Sequence, residues 1–185
     1  MANSVIAVSQ WIERLSALHR SLMRKFAAEE GLQLVHIEIL QYLSVSNRYS
    51  NTTQVISEYL GQTKGSISQS LSHLQEYGFI KRTQDNNDKR VFHLSITTKG
   101  LSVAERLLDS INLDGPEDLE PALKVMLATI QRKNGLRSFG TCLSCKYNQN
   151  PGKNLFVCGL TKEKLSTNDV KKICKEHEPA TSTSI

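Results

Sequence analysis

Residues 31–100 constrain the fold most, because glycines separate short stretches whose apolar residues recur at helical spacing. Apolar residues at helical spacing predict a helix over residues 32–44 and a second, short helix that ends at Gly61. A third predicted helix starts at the capping residue Thr63 and ends at Gly78. Three short helices with tight joints predict a helix-turn-helix.

A β-hairpin is predicted directly after the third helix. Residues 79–83 and 90–96 follow the two-residue period of strands, and the polar residues 84–89 form the tip between them. The expected fold class is therefore mainly α with a small β-hairpin wing, that is, a winged helix-turn-helix. We also expect a helical dimerisation region and, at the C-terminal end, a small Cys-rich unit that is stabilised by a bound metal.

Amphipathic regions flank this core. Residues 5–28 predict a long helix with an apolar stripe, and residues 101–111 and 119–130 predict two helices separated by a break at Asp114-Gly115-Pro116. We expect the terminal helices to pair with a second copy of the chain and form a homodimer. The alternative is that both stripes pack only within one chain. The N-terminal stripe consists of Val8, Trp11, Leu15, Leu18 and Leu22.

The helix that starts at Thr63 has one apolar face, formed by Ile67, Leu71 and Leu74. The opposite face is rich in short hydrogen-bonding side chains, which suit close contact with base edges in a major groove. An ordinary solvated face is the alternative, although such faces usually carry more Glu and Lys. The predicted DNA-facing residues are Lys64, Gly65, Ser66, Ser68, Gln69, Ser72 and His73.

The hairpin tip carries the basic residues Lys89 and Arg90 beside the carboxylates Asp85 and Asp88. An arginine on a rigid hairpin can enter a minor groove, and a nearby carboxylate can fix its guanidinium. We therefore predict that Lys89 and Arg90 contact DNA. The alternative is an ordinary polar turn whose charges cancel.

Four runs of this sequence resemble the MarR family of regulators in order and spacing, and the similarity covers roughly residues 5–135. The resemblance implies a winged helix-turn-helix whose terminal helices interlock into a homodimer. It also implies recognition helices in successive major grooves, wing arginines in the flanking minor grooves, and usually a repressor. The runs are residues 61–71, 74–82, 88–90 and 95–100.

The same resemblance assigns roles by position. The recognition helix is residues 63–77, with Gly65, Ser66 and Gln69 among the residues that face bases or phosphates. Arg90 is the wing arginine, and Asp88 orients it. One departure is mild: the second strand ends in Ile96-Thr97, where the family often has Leu-Thr.

All four cysteines follow residue 141 and predict a metal site in the segment of residues 137–178. A C-x2-C turn places two thiolates on one side of the backbone, as a tetrahedral zinc site requires. We expect zinc, with an iron–sulfur cluster or a redox-active thiol pair as alternatives. A helix over residues 167–176 would bring His177 to the same ion as a substitute or supporting group. The predicted ligands are Cys142, Cys145, Cys158 and Cys174.

Charge and hydropathy are consistent with a cytoplasmic protein that binds a polyanion. The formal net charge is +5, and the N-terminal residues lack the basic and apolar regions of a signal peptide. No stretch approaches the roughly 20 apolar residues of a membrane span. Reduced thiols are expected in this compartment, which favours metal or redox chemistry over structural disulfides.

The expected organisation follows from these elements. A dimerisation helix (1–30) precedes the winged helix-turn-helix (31–100), which is followed by C-terminal dimerisation helices (101–136), the Cys-rich segment (137–178) and a disordered tail (179–185).

We predict a regulator of transcription that binds double-stranded DNA as a homodimer at a pseudo-palindromic site. A small-molecule effector or the metal or redox site would modulate it. The alternative is a metal- or redox-sensing interaction module in which DNA binding is secondary. An enzyme is not expected, because four thiolates leave a zinc ion no open position for a substrate.

Overall fold

A computed structural model describes residues 2–86, 88–111, 115–152 and 155–180, with side chains described from Ile6 onward. Two predicted features lie partly outside the described residues: the hairpin tip at Asn87 and the helix break at Asp114. Residues 181–185 of the predicted disordered tail lie outside them as well. The helices are α1 (Ala2–Glu29), α2 (Leu34–Val45), α3 (Thr53–Leu60), α4 (Lys64–Glu76), α5 (Thr98–Ile111) and α6 (Leu119–Lys133). The strands are β1 (Ile80–Gln84), β2 (Phe92–Ile96), β3 (Asn148–Gly152), β4 (Leu155–Cys158) and β5 (Lys164–Leu165).

The predicted helix-turn-helix is confirmed, and local signals set its bounds. Gly61 ends α3 in the left-handed conformation at φ 63°, which costs glycine little. Thr63 caps α4, because its hydroxyl oxygen accepts a hydrogen bond from the Ser66 amide at 3.3 Å. Ile67 and Leu74 are fully buried between α4 and the helices before it.

The wing is a two-stranded antiparallel sheet of β1 and β2, paired from Ile80 opposite Ile96 to Gln84 opposite Phe92. Its base is fixed to the domain, because the Leu94 amide donates to the Asn51 carbonyl at 2.8 Å. The mainly α fold with a small β-hairpin wing is therefore confirmed.

Helix α5 packs very closely against the start of the wing. Thr97 precedes the helix and accepts a hydrogen bond from the Gly100 amide at 3.2 Å. A Cβ atom on Gly100 would stand 2.3 Å from the Phe79 carbonyl oxygen and 2.8 Å from a side-chain carbon of Ile96. A side chain at this position would therefore force neighbouring atoms to move.

The apolar stripes of the terminal helices do not pack within the chain. Met23, Phe26 and Ala27 at the end of α1 join the core, whereas Trp11 is 68% exposed and Leu15 62% exposed. Every residue of α6 is described, and none is buried. The alternative in which both stripes pack only within one chain is therefore wrong. The exposed stripe of α6 comprises Leu119, Leu123, Leu127 and Ile130.

The C-terminal unit, residues 137–180, contains the three-stranded antiparallel sheet β3-β4-β5 and two short 3-10 turns at Cys142–Ser144 and Asp169–Lys171. The predicted helix over residues 167–176 is wrong. The Ile173 amide donates to the Val45 carbonyl at 2.8 Å, so the chain is drawn toward the end of α2 rather than closing a helical turn.

Among the described residues, no helix is long and apolar enough to cross a membrane.

Candidate DNA-binding surface and cysteine cluster

The polar face of α4 is open to solvent. The opposite face is buried in the core through Ile67, Leu71 and Leu74. Because of the helical spacing, the predicted DNA-facing residues lie on the outer side. Ser72 donates to the Ser68 carbonyl at 3.0 Å, which directs that hydroxyl along the helix. The exposed members of the predicted set are Lys64, Gly65, Ser66, Ser68, Gln69 and Ser72.

His73, the last member of the predicted set, is placed differently. It is half-buried, and its ring stacks on His36 with centroids 4.4 Å apart and planes 8° apart. Tyr77 covers it at 4.5 Å. Burial and then the neighbouring His73 lower the pKa of His36. The structure therefore gives His73 a packing position at the edge of the polar face.

On the wing, the Asp88 carboxylate holds the Arg90 side chain. The Asp88 carboxylate accepts hydrogen bonds from Arg90 Nε and Nη2, each at 3.1 Å, and from the Arg90 amide at 3.0 Å. These bonds lower the pKa of Asp88 and raise the pKa of Arg90. The Arg90 side chain is 90% exposed, so a guanidinium in a fixed orientation faces solvent. Lys89 is exposed beside it.

A histidine bridge at the base of the wing was not predicted from the sequence. His93 Nδ1 lies 2.7 Å from Asn51 Oδ1, and His93 Nε2 lies 3.0 Å from Asp85 Oδ2. Asp85 also accepts a hydrogen bond from the Asp88 amide at 2.8 Å, which links the bridge to the hairpin tip. The partners are up to 42 residues apart, so no local pattern indicated them.

A cavity of about 420 Å³ lies between α1, α2 and α5. Its lining includes both charged and apolar side chains. Such a cavity can admit a small organic molecule. Lining residues include His19, Arg20, Gln41, Tyr42, Glu105 and Leu108.

Three of the four cysteines gather in one small cluster in the C-terminal unit. Cys142 and Cys174 are buried with Leu165 and Val170, and Cys158 packs against them. Interaction with the neighbouring Cys174 and burial raise the pKa of Cys142, whereas interaction with Cys142 lowers the pKa of Cys174. Cys145 is half-buried. As the side chains stand, no three His, Cys, Asp or Glu groups in the described part of the chain form a set that could hold a metal ion.

His177 is not directed at this cluster. Its Nδ1 lies 2.6 Å from the Ser138 hydroxyl, and its Nε2 lies 3.0 Å from the Ser144 hydroxyl. The ring lies so close to Gly140 that a Cβ atom there would come within 2.5 Å of it. Both ring nitrogens therefore have serine partners, and Cys174 and His177 do not converge as the predicted helix required.

The C-terminal unit docks on the loop between α2 and α3. Ile173 accepts a hydrogen bond from the Asn47 amide at 2.9 Å and donates to the Val45 carbonyl at 2.8 Å. The Lys175 amide donates to the Ser50 hydroxyl at 2.8 Å, and Ser50 is fully buried. Backbone pairing thus joins the cysteine cluster to the helix-turn-helix.

Comparison with known proteins agrees with this architecture. A family model described as a winged helix DNA-binding domain matches residues 35–112. The HTH-type transcriptional regulator PapX from Escherichia coli is 30% identical over 69 residues, which is 37% of this chain. The chain spans 42% of the length of this curated relative.

Solved structures extend the likeness to a larger share of the chain. The MepR–DNA complex of S. aureus superimposes with a TM-score of 0.52 at 18% identity, covering 68% of this chain and 96% of that one. The MarR family transcription regulator SP03579 superimposes with a TM-score of 0.55 at 19% identity, covering 72% and 93%. The fold is that of MarR regulators. The part of the chain outside these matches has no counterpart in either structure.

Proposed function

We propose that this protein is a sequence-specific, DNA-binding regulator of transcription, and most specifically a repressor that acts as a homodimer. The observation that carries the proposal is the arrangement of two surfaces. The open polar face of α4 suits a major groove, and Arg90, held by Asp88 on the wing, suits the adjacent minor groove. The winged helix match over residues 35–112 supports the same function.

A second copy of the chain is the partner that the exposed stripes of α1 and α6 require. A single helix-turn-helix reads few bases, whereas a two-fold pair reads two half-sites about 34 Å apart. The stripes are large, apolar and located at both ends of the winged domain in sequence, as an interlocked interface needs. Burying them against a copy would remove the largest exposed apolar side chain, Trp11, from water.

A small-molecule effector would act through the cavity between α1, α2 and α5. This cavity adjoins both the proposed dimer helix and α2 of the DNA-binding domain. A ligand that fits only one spacing of the two recognition helices would shift the dimer toward or away from the DNA-binding state. Such a ligand would thereby regulate the release of DNA.

The DNA-binding proposal is tested by selecting duplexes from a random pool with the purified chain and measuring affinity for the selected site. Arg90→Ala should weaken binding by about tenfold or more, because it removes a groove cation from each protomer. Gln69→Ala should change which bases are preferred. Lys124→Ala is the control, since it removes one exposed charge on α6 that forms an ion pair with Glu120 at 2.6 Å. No preference for any duplex, or equal loss in the control, contradicts the proposal.

The homodimer is tested by sedimentation at micromolar concentration. Leu15→Glu places a charge in the exposed stripe and should yield monomers that no longer bind the selected duplex. Ala17→Glu adds the same charge on the opposite side of α1, because helical residues advance by about 100° each, and should leave the dimer intact. A wild-type chain that sediments as a monomer refutes this part of the proposal.

A further inference from the structure

The C-terminal unit has an unusually small core for a folded segment. Its buried side chains, among the described residues, are Cys142, Leu165, Val170, Cys174 and His177. Two aliphatic side chains cannot offset the conformational entropy lost by a segment of this length. Small units of this kind are usually stabilised by a disulfide or a metal, and the buried centre here contains two thiols.

Three separate segments bring the thiols to this centre. The 3-10 turn at Cys142–Ser144 is closed by the Cys145 amide, which donates to the Cys142 carbonyl at 3.1 Å. Cys158 ends β4, and the following turn is closed by the Lys162 amide at 2.7 Å from its carbonyl. Cys174 enters from the loop after the second 3-10 turn, where its amide donates to the Gly140 carbonyl.

Two of the four thiols lie in one buried cluster, and Cys158 packs against it. These two are Cys142 and Cys174, which are buried together with Leu165 and Val170. Cys145 and Cys158 are only half-buried. Binding a common ion would therefore require these two side chains to turn inward toward the buried pair. A short turn and a strand end permit this movement more readily than the interior of a helix.

A residue of the DNA-binding domain supports the buried pair. The Asn47 side chain is 3% exposed, and its amide nitrogen lies 3.9 Å from Cys142 Sγ, within reach of an N–H···S bond. Its amide oxygen accepts from the Tyr49 amide at 3.1 Å and from the Ser50 hydroxyl at 2.8 Å. An N–H group aimed at sulfur stabilises a thiolate and tunes the metal that it binds.

We propose that Cys142, Cys145, Cys158 and Cys174 bind one thiophilic metal centre, either zinc or an iron–sulfur cluster, and that Asn47 is a positioning residue for it. His177 is left out of the ligand set, because Ser138 and Ser144 hold its ring. The proposal does not depend on DNA binding, since each can fail without the other.

The full chain is purified without oxygen, and its zinc, iron and acid-labile sulfide are measured per chain. A structural zinc gives one zinc and a colourless protein, whereas an iron–sulfur cluster gives iron, sulfide and visible absorption. Cobalt added to the metal-free chain reports the ligands through its spectrum. Each of Cys142→Ser, Cys145→Ser, Cys158→Ser and Cys174→Ser should lower metal affinity at least tenfold.

His177→Asn is the matched control, because an amide can still bond to the serines, and it should keep the metal. Asn47→Asp retains the oxygen that accepts from Tyr49 and Ser50 but lacks the N–H group. It should lower metal affinity about 10- to 100-fold and shift the cobalt or cluster spectrum. Circular dichroism of the helices shows whether the winged domain stays folded in each variant.

Three results would overturn the inference. One is a wild-type chain that binds neither zinc nor an iron–sulfur cluster after reconstitution. Another is full retention of metal when Cys145 or Cys158 is replaced. A third is a Cys142–Cys174 disulfide that forms under mild oxidation and is not prevented by added metal, which would assign the pair to redox chemistry. Because each is measured on the wild-type chain or on a half-buried position, none depends on a misfolded variant.

Discussion

Replacing Gly100 with alanine tests how tightly α5 is packed against the wing. Alanine favours a helix over glycine by at most about 1 kcal/mol. The new Cβ, however, would stand 2.3 Å from the Phe79 carbonyl oxygen, a backbone atom that also accepts hydrogen bonds from Thr97. Overpacking of this kind typically costs about 1–3 kcal/mol, and a rigid backbone contact belongs at the upper end.

The net loss in the free energy of unfolding should therefore be about 2 kcal/mol, which is a change of about 30-fold in the unfolding equilibrium. Urea unfolding followed by helical circular dichroism measures it directly. Gly65→Ala is the matched control, since the nearest atom to its new Cβ is Thr63 Oγ1 at 4.0 Å. That variant should be as stable as the wild type or slightly more stable, yet bind DNA more weakly.

Two outcomes would refute this reasoning. A Gly100→Ala protein as stable as the wild type would mean that α5 does not approach the wing so closely. A Gly65→Ala protein that loses stability would mean that the polar face of α4 is not open. If Gly65→Ala binds the selected duplex as well as the wild type, Gly65 does not lie at the DNA surface.

Three smaller predictions follow from single contacts. Thr63→Ala removes the cap of α4 and should cost about 1 kcal/mol in urea unfolding, and Thr63→Ser should restore most of it. Burial lowers the folded pKa of His36, so the unfolded chain takes up the proton first, and stability should fall as the pH drops below about 6.5. His36→Gln should reduce that dependence, and an unchanged pH profile would contradict the assignment. Asp88→Asn should weaken DNA binding without changing the unfolding midpoint, because the residue supports Arg90 from an exposed turn; a shifted midpoint would indicate a structural role instead.

The helix-turn-helix and the wing were predictable because their signals are local. Gly61 and Thr63 mark helix ends by their own backbone and side-chain chemistry, and strand alternation marks the hairpin. The structure shifts the start of the strands by only one or two residues, to Ile80 and Phe92.

The C-terminal unit was less predictable because its contacts are distant in sequence. A helix over residues 167–176 was expected, but Ile173 makes its backbone hydrogen bonds with Val45 and Asn47 at the end of α2 instead. The packing of His73 on His36 and the bridge made by His93 were missed for the same reason. A motif can show that cysteines are grouped, whereas the serine partners of His177 require knowledge of the surrounding chain.

The attachment of Ile173 beside Val45 and Asn47 has a consequence for any shortened form of the protein. A chain that stops after α6 retains the whole winged domain in sequence. Val45 and Asn47 at the end of α2 would nevertheless lose their backbone hydrogen bonds with Ile173. The Ser50 hydroxyl, sealed from water in the intact chain, would also lose the Lys175 amide. Removal of the last segment should therefore loosen the loop between α2 and α3. We expect a chain without the C-terminal unit to hold α3 and α4 less firmly than the intact chain.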